Sequence, residues 1–194
     1  MLNIRRAKES DLDRVMMIYG EVKLDRNKLG DPLYESKIQK QGFLLGLEDR
    51  NIYRNLLTNA YAFLVAKENR KVVGYLVADH RDKYHDDEYK TWFDQSYKDL
   101  YYESPQGMSL ATIAVDPDYA GKGVATKLLR KLEYKLNREG FKYLYSIITL
   151  APVTNCPSIV WHSKNSFRRL AMGRVRKRFF DLNWYSGGLL YKLL

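Results

Sequence analysis

Residues 113–129 read Ile-Ala-Val-Asp-Pro-Asp-Tyr-Ala-Gly-Lys-Gly-Val-Ala-Thr-Lys-Leu-Leu, an apolar strand-like run followed by a loop of small residues that opens directly into a helical pattern. Small residues let a backbone approach a ligand closely, glycine most of all. A helix beginning at Val124 leaves its first N–H groups without intrahelical partners and presents the positive end of its dipole. Together these make an anion cradle suited to a pyrophosphate; a plain strand-to-helix turn would use the same glycines for tightness alone. The loop is no nucleoside-triphosphatase motif, because GxxxxGK[ST] is absent.

The remaining reactive side chains are sparse. Cys156 is the single cysteine, which excludes an internal disulfide and fits a reducing compartment. It has no histidine-aspartate arrangement near it in sequence to activate it as a nucleophile. The three histidines are scattered and no CxxC occurs, so no metal site is expected. Residues 106–115 hold no carboxylate, which leaves Asp79, His80, Glu103, a residue of the 81–105 segment or water as the general base.

The elements that must position these groups follow from periodicity. Residues 2–7 alternate like a short strand, and Ser10 with Asp13 is a variant capping pattern before LDRVMMIYGEV. Two helical segments, 33–41 and 49–59, flank GFLLGL at 42–47, whose apolar residues suit either core contact or a surface that meets a ligand. Residues 61–67 and 71–80 read as a hairpin turning at Glu68-Asn69-Arg70, where Asn tolerates positive φ. Residues 81–105 are rich in charge and aromatics and read as an insertion between sheet strands, weakly helical over 88–101. A buried strand at 108–115 follows, then a helix with Val124, Leu128, Leu129, Leu132 and Leu136 on one face, stopped by Gly140. A strand at 141–150, a short helix in PSIVWHSKN and a final two-stranded ribbon turning at Gly187-Gly188 complete the chain. The pattern predicts one α/β domain over 1–194, a mixed, mostly antiparallel sheet of about seven strands with helices on its faces.

At the loop, the chain resembles the GCN5-related N-acetyltransferase superfamily, whose central signature is V-x-P-x-x-[RQ]-G-x-G-[IV]-[GA]-x-x-L-L. Val115, Pro117, Gly121, Gly123, Val124, Ala125, Leu128 and Leu129 match in register, and Ala120 stands where Arg or Gln is usual. Downstream, NCPSIVWHSKNSF resembles the element N-x-x-[AS]-x-x-[LF]-[YH]-x-K-x-G-F through Asn155, Ser158, Trp161, His162, Lys164 and Phe167, with Ser166 in place of Gly. The resemblance implies a fold whose strands 108–115 and 141–150 splay apart, and acetyl-CoA as co-substrate. Its pyrophosphate would lie on Ala120, Gly121, Lys122, Gly123, Val124, Ala125 and Thr126, with Lys122, Lys127 or the basic C-terminal segment supplying side-chain charge. Its pantetheine arm would lie along Ile113, Ala114 and Val115 and meet Asn155 and Ser158. The resemblance further implies direct attack by an amine acceptor, an oxyanion contact near Ile113 and Ala114, and His162 as the acid that protonates the thiolate, at a position where many relatives carry tyrosine. A packed histidine and a helix-capping asparagine are the plain alternatives for His162 and Asn155.

Charge completes the reading. There are 33 Lys+Arg against 23 Asp+Glu, a formal net charge of +10 that attracts anions. RRLAMGRVRKRFF at 168–180 carries six basic residues. Alternation of Val175 with Arg174 and Arg176 suits a solvated strand edge better than a nucleic-acid surface. No stretch is long and apolar enough to be a signal peptide or membrane span, so a cytoplasmic protein with no membrane partner is expected. A non-catalytic basic RNA- or ribosome-binding module on the same fold is the competing reading, motivated by Ala120 and Ser166; self-association as a homodimer stays open.

Overall fold

The computed structural model describes residues 2–46, 49–80, 106–175 and 185–194. Seven strands, β1 (Asn3–Arg6), β2 (Ala62–Glu68), β3 (Lys71–His80), β4 (Gly107–Val115), β5 (Tyr143–Ala151), β6 (Arg168–Val175) and β7 (Tyr185–Leu193), form one sheet in the order β1-β2-β3-β4-β5-β7-β6. The β2–β3 hairpin turns through Asn69 and Arg70 at φ 47° and 68°, the left-handed geometry that matches strand twist in a tight hairpin. Every neighbouring pair is antiparallel except β4–β5, which is parallel and joined by a crossover through α4 (Val124–Arg138).

Each face of the sheet takes a different set of helices because strand side chains alternate. Phe63, Val65, Tyr75 and Val77 bury against Leu12, Val15, Ile18 and Tyr19 of α1 (Leu12–Val22) and Tyr53 of α3 (Arg50–Asn59). Leu64, Ala66, Val73 and Leu76 face the opposite way, onto the fully buried Leu128, Leu129, Leu132 and Leu136 of α4. That leucine stripe is the one the 3.6-residue period predicts. Each such side chain contributes about 1.5–3 kcal/mol by leaving water. The same face carries α5 (Cys156–Lys164), while α2 (Pro32–Gln41) and its flanks pack against Val153 and the outer part of the sheet.

Several expectations are corrected. Gly187 and Gly188 form no turn: they lie inside β7, paired on one side with Thr149 and Ile148 and on the other with Gly173 and Met172. A Cβ at Gly188 would stand 3.4 Å from the Ile148 and Leu150 side chains of β5, at the tight edge of ordinary contact. At the start of α1 the operating acid is Asp11, not Asp13. Its carboxylate accepts from Lys8 N at 2.9 Å and holds Arg5 at 2.7 and 2.9 Å. In the 42–47 segment Phe43 is core, buried with Ile38 and Val153. The edge reading of 168–175 agrees with β6 as the outermost strand, Arg168 and Arg169 being exposed. The insertion at 81–105, with its weakly helical stretch, and Arg176 fall outside the described residues.

Candidate cofactor-binding site

The β4–β5 ladder has four pairs, from Gly107 with Tyr143 to Leu110 with Ser146, and then the strands part. A local cause lies on the other side of β4. The β3–β4 register shifts between Val77 and Ala78, which pair with Thr112 and Leu110 and leave Ala111 as an extra residue. Such a bulge bends and twists its strand, here away from β5. Beyond it, Asp116 N donates to Val73 O at 3.0 Å. By antiparallel alternation, Thr112 and Ala114 also direct their backbone groups to β3, whereas Ile113 and Val115 direct theirs into the gap. Of the three residues expected along the cofactor arm, two therefore offer free backbone to the gap and Ala114 does not.

The loop after β4 is wound tightly by Tyr119 N–H to Asp116 O at 2.8 Å, Ala120 N–H to Pro117 O at 3.1 Å and Lys122 N–H to Tyr119 O at 3.3 Å. Gly121 and Gly123 have φ of 75° and 77°, a conformation that disfavours any Cβ, and Gly123 caps α4. The first helical bond runs from Lys127 N–H to Gly123 O at 3.0 Å. Among the described residues, the N–H groups of Gly121, Gly123, Val124, Ala125 and Thr126 donate to no protein acceptor. Residues 120–123 are exposed, and a Cβ at Gly121 or Gly123 would meet nothing within 4 Å, so the cradle is open. Lys127 is exposed on the first turn, and the Lys122 ammonium lies 4.8 Å from the centre of the Tyr119 ring.

Asp116, which sequence reasoning passed over, anchors this loop. Buried at 2 % exposure, it accepts from Arg14 of α1, from Lys71 at 3.2 Å and from Asp118 N–H at 3.0 Å. Burial pushes its carboxyl pKa up, but the hydrogen bonds from Asp118, Lys71 and Arg14 outweigh it and hold the group below the usual carboxylate value.

Helix α5 follows β5 and is bonded back to it, from Asn155 N–H to Thr149 O at 3.0 Å. Asn155 caps it, accepting from Ser158 N–H at 3.3 Å, and donates to Phe43 O at 2.7 Å, so both ends of its amide serve the fold. His162 is 3 % exposed, with Nδ1 2.7 Å from Ser158 O and Nε2 2.8 Å from Ser146 Oγ. A carbonyl only accepts, which assigns the proton to Nδ1 and makes Nε2 the acceptor of the Ser146 hydroxyl. Burial lowers the His162 pKa to about 4, against a smaller upward pull from Ser158 O, so the ring is neutral at pH 7. Ser158 Oγ lies 3.2 Å from the same Nδ1. Trp161 Nε1–H donates to Thr126 Oγ1 at 3.2 Å.

The structure thus sets the loop residues at the end of β4, Ile113 and Val115 along the gap, and Asn155, Ser158 and His162 at or on α5, which bonds to β5 through Ser146 and to α4 through Trp161 and Thr126; no local signal marked Ser146 or Trp161 as polar anchors. Asp79 and His80 lie at the closed end of the ladder: Asp79 pairs with Ser109 and accepts from His80 N at 2.8 Å, and the His80 ring rests on Tyr61 and Phe141. Glu103 is outside the described residues. Cys156 is exposed. Among the described residues no group of three His, Cys, Asp or Glu side chains could hold a metal, and no helix is long and apolar enough to cross a membrane.

Splayed parallel strands, a glycine cradle and a helix bonded back to β5 define an acetyltransferase fold. The profile of the Acetyltransferase (GNAT) family matches residues 32–166, and the chain belongs to that family. No curated protein matches the sequence. Among solved structures, the ribosomal-protein-alanine N-acetyltransferase from Brucella melitensis is 19 % identical over 99 % of both chains with a TM-score of 0.66. The ribosomal-protein-S18-alanine N-acetyltransferase from Escherichia coli is 15 % identical, covers 100 % of this chain and 94 % of its own, and has a TM-score of 0.65. The PaiA N-acetyltransferase from Thermoplasma acidophilum, solved with coenzyme A, is 14 % identical over 100 % and 99 % with a TM-score of 0.63. At these identities the likeness is one of fold.

Proposed function

We propose that this chain, a single domain over 1–194, transfers an acetyl group from acetyl-CoA to a primary amine by direct attack. The observation that carries the reading is the open run of undonated N–H groups at Gly121 and Gly123–Thr126, set beside a gap into which Ile113 and Val115 turn free backbone. The cradle suits a pyrophosphate, with Ala120 giving the loop no side-chain charge and Lys122 and Lys127 available to add it. Bound acetyl-CoA supplies an activated acyl thioester. The protein's task is to place an amine against it, to offer an N–H such as that of Ile113 to the developing oxyanion, and to keep water out. Asn155 and Ser158 border the arm at the α5 N-terminus.

The attacking amine loses a proton and the departing thiolate gains one, so the reaction needs no net side-chain donor. For His162 to be that donor, its ring would have to adopt the other tautomer and relay through Ser146 Oγ, against the Ser158 carbonyl. We therefore place His162 in the site as a residue that orients rather than protonates. Against the competing RNA-binding reading stands Ser166, which keeps a φ of 66° despite lacking glycine, so this departure from the motif preserves its backbone.

Thermal shift with coenzyme A tests the cofactor. A ligand at about 100 times its Kd stabilises by about 2.7 kcal/mol, and no shift at millimolar coenzyme A or acetyl-CoA would overturn the reading. Thiol release in an amine panel then assigns the acceptor. The panel should include a peptide with N-terminal alanine, since two structural neighbours carry ribosomal-protein alanine in their names, along with lysine peptides, polyamines, antibiotics and small metabolites.

A further inference from the structure

Trp161 and His162 are consecutive on α5, yet they bond to different elements, α4 and β5. Neighbouring helix residues point about 100° apart, so one helix can reach both at once. Trp161 Nε1–H donates at 3.2 Å to Thr126 Oγ1, in the first turn of the helix that continues the β4 wall. His162 Nε2 accepts at 2.8 Å from Ser146 Oγ, on the last β5 residue that still pairs with β4. Neither ring is loose. Trp161 and Phe167 each stand edge-on to the imidazole at 4.8 Å, and Nδ1 is held to Ser158 O at 2.7 Å. Ser146 and His162 are 5 % and 3 % exposed, so their bond exchanges with little water.

We propose that Trp161 and His162 form a brace that sets the width of the β4–β5 gap, acting through Thr126 and Ser146, and so position the arm of coenzyme A without protonating it. The inference rests on the acetyltransferase reading. The His162 bond ends on β5 itself, at the vertex of the gap, and the Trp161 bond ends on α4, in the first turn that carries the cradle, so the pair ties the β5 wall to the helix that continues β4. Loss of either loosens that tie by the slack of one hydrogen bond, which an arm threaded through the gap feels more than a pyrophosphate held by backbone N–H groups, since both bonds end on side chains.

The test compares two ligands, coenzyme A and 3′-phospho-ADP, which has the pyrophosphate but no arm. Trp161→Phe keeps the aromatic body and removes the donor; Ser146→Ala removes the hydroxyl and Ser146→Thr returns it. Each of the first two should weaken coenzyme A binding about five- to tenfold, the range one hydrogen bond typically supplies, with 3′-phospho-ADP within about twofold of the parent. Ser146→Thr should recover coenzyme A affinity. Equal losses for both ligands, no loss for coenzyme A, or a folded Ser146→Thr no better than Ser146→Ala would overturn the brace. In the unmodified protein, long-range nitrogen NMR should find the His162 proton on Nδ1; a proton on Nε2 would also overturn it. A parent protein that binds neither ligand refutes the acetyltransferase reading and the brace with it, whereas a parent that binds both while all variants match it refutes the brace alone.

Discussion

Arg14 on α1 donates to the carboxylate of Asp116 at the end of β4, a contact between residues 102 apart in sequence that ties the first helix to the cradle. Asp116→Asn would leave Arg14 and Lys71 facing a neutral amide, one of them largely buried. A loss of about 2 kcal/mol is expected at pH 7, below the cost of breaking a fully buried pair because Lys71 is half-exposed. A carboxyl whose folded pKa is depressed stabilises fully above its unfolded value of about 3.9 and loses that contribution as pH falls toward the folded value. The gap between parent and variant should therefore be widest at neutral pH and shrink below pH 4, which urea titrations at both ends would measure.

Gly123 is a matter of backbone, not of space. With φ at 77° and nothing within 4 Å of a Cβ, Gly123→Ala should cost about 1 kcal/mol and lower Tm by about 2–4 °C, while weakening coenzyme A binding as the N–H groups shift. Gly123→Asn should do better on both counts, since asparagine tolerates the left-handed region. Calorimetry on the two variants would separate these outcomes; an alanine variant as stable and as tight-binding as the parent would show that the loop does not depend on this conformation.

What the sequence made legible here was local. The glycines at 121 and 123, the leucine stripe of α4 and the Asn69-Arg70 turn each follow from residues within a few positions of one another, where spacing alone carries the physics. Asp116 and Ser146 were not legible, because their partners come from other elements and a lone Asp or Ser in a strand-like run is otherwise ordinary. Gly187-Gly188 misled for the same reason in reverse. A glycine pair is a strong local turn signal, and only the assembled sheet, with β5 on one side and β6 on the other, shows that the pair lies inside a strand.

Ser166 holds φ at 66°, in the turn where its N–H reaches Ser163 O at 3.0 Å after α5. A non-glycine residue pays roughly 1–2 kcal/mol there. Ser166→Gly should recover about 1 kcal/mol, the gain being trimmed by the greater freedom glycine has when unfolded. A rise in Tm of about 2–4 °C is expected. An unchanged or lower Tm would mean that the serine side chain compensates for its backbone.

His162 makes the acid sensitivity of the fold specific. Its pKa falls from 6.5 to about 4 on burial, so between those values the unfolded chain binds a proton that the folded chain refuses. Stability from this residue is complete above pH 6.5 and drains away as pH falls toward 4, by on the order of 3–4 kcal/mol in full. Asp11 and Asp116, with carboxyl pKa values held below the usual, act at lower pH, so the window from 6.5 to 4 belongs to the imidazole among these three. His162→Phe should be less stable than the parent at pH 7, by about 1–3 kcal/mol for the Ser146 hydroxyl left unpaired in the core. Its stability should then change little down to pH 4.5, narrowing or closing the gap. Urea unfolding at pH 7, 5.5 and 4.5 would read the two slopes. Parallel curves would mean that the ring protonates in place, with a proton on Nε2, and an imidazolium able to do that could feed a departing thiolate through Ser146; curves that converge as pH falls would keep His162 neutral throughout, as a brace requires.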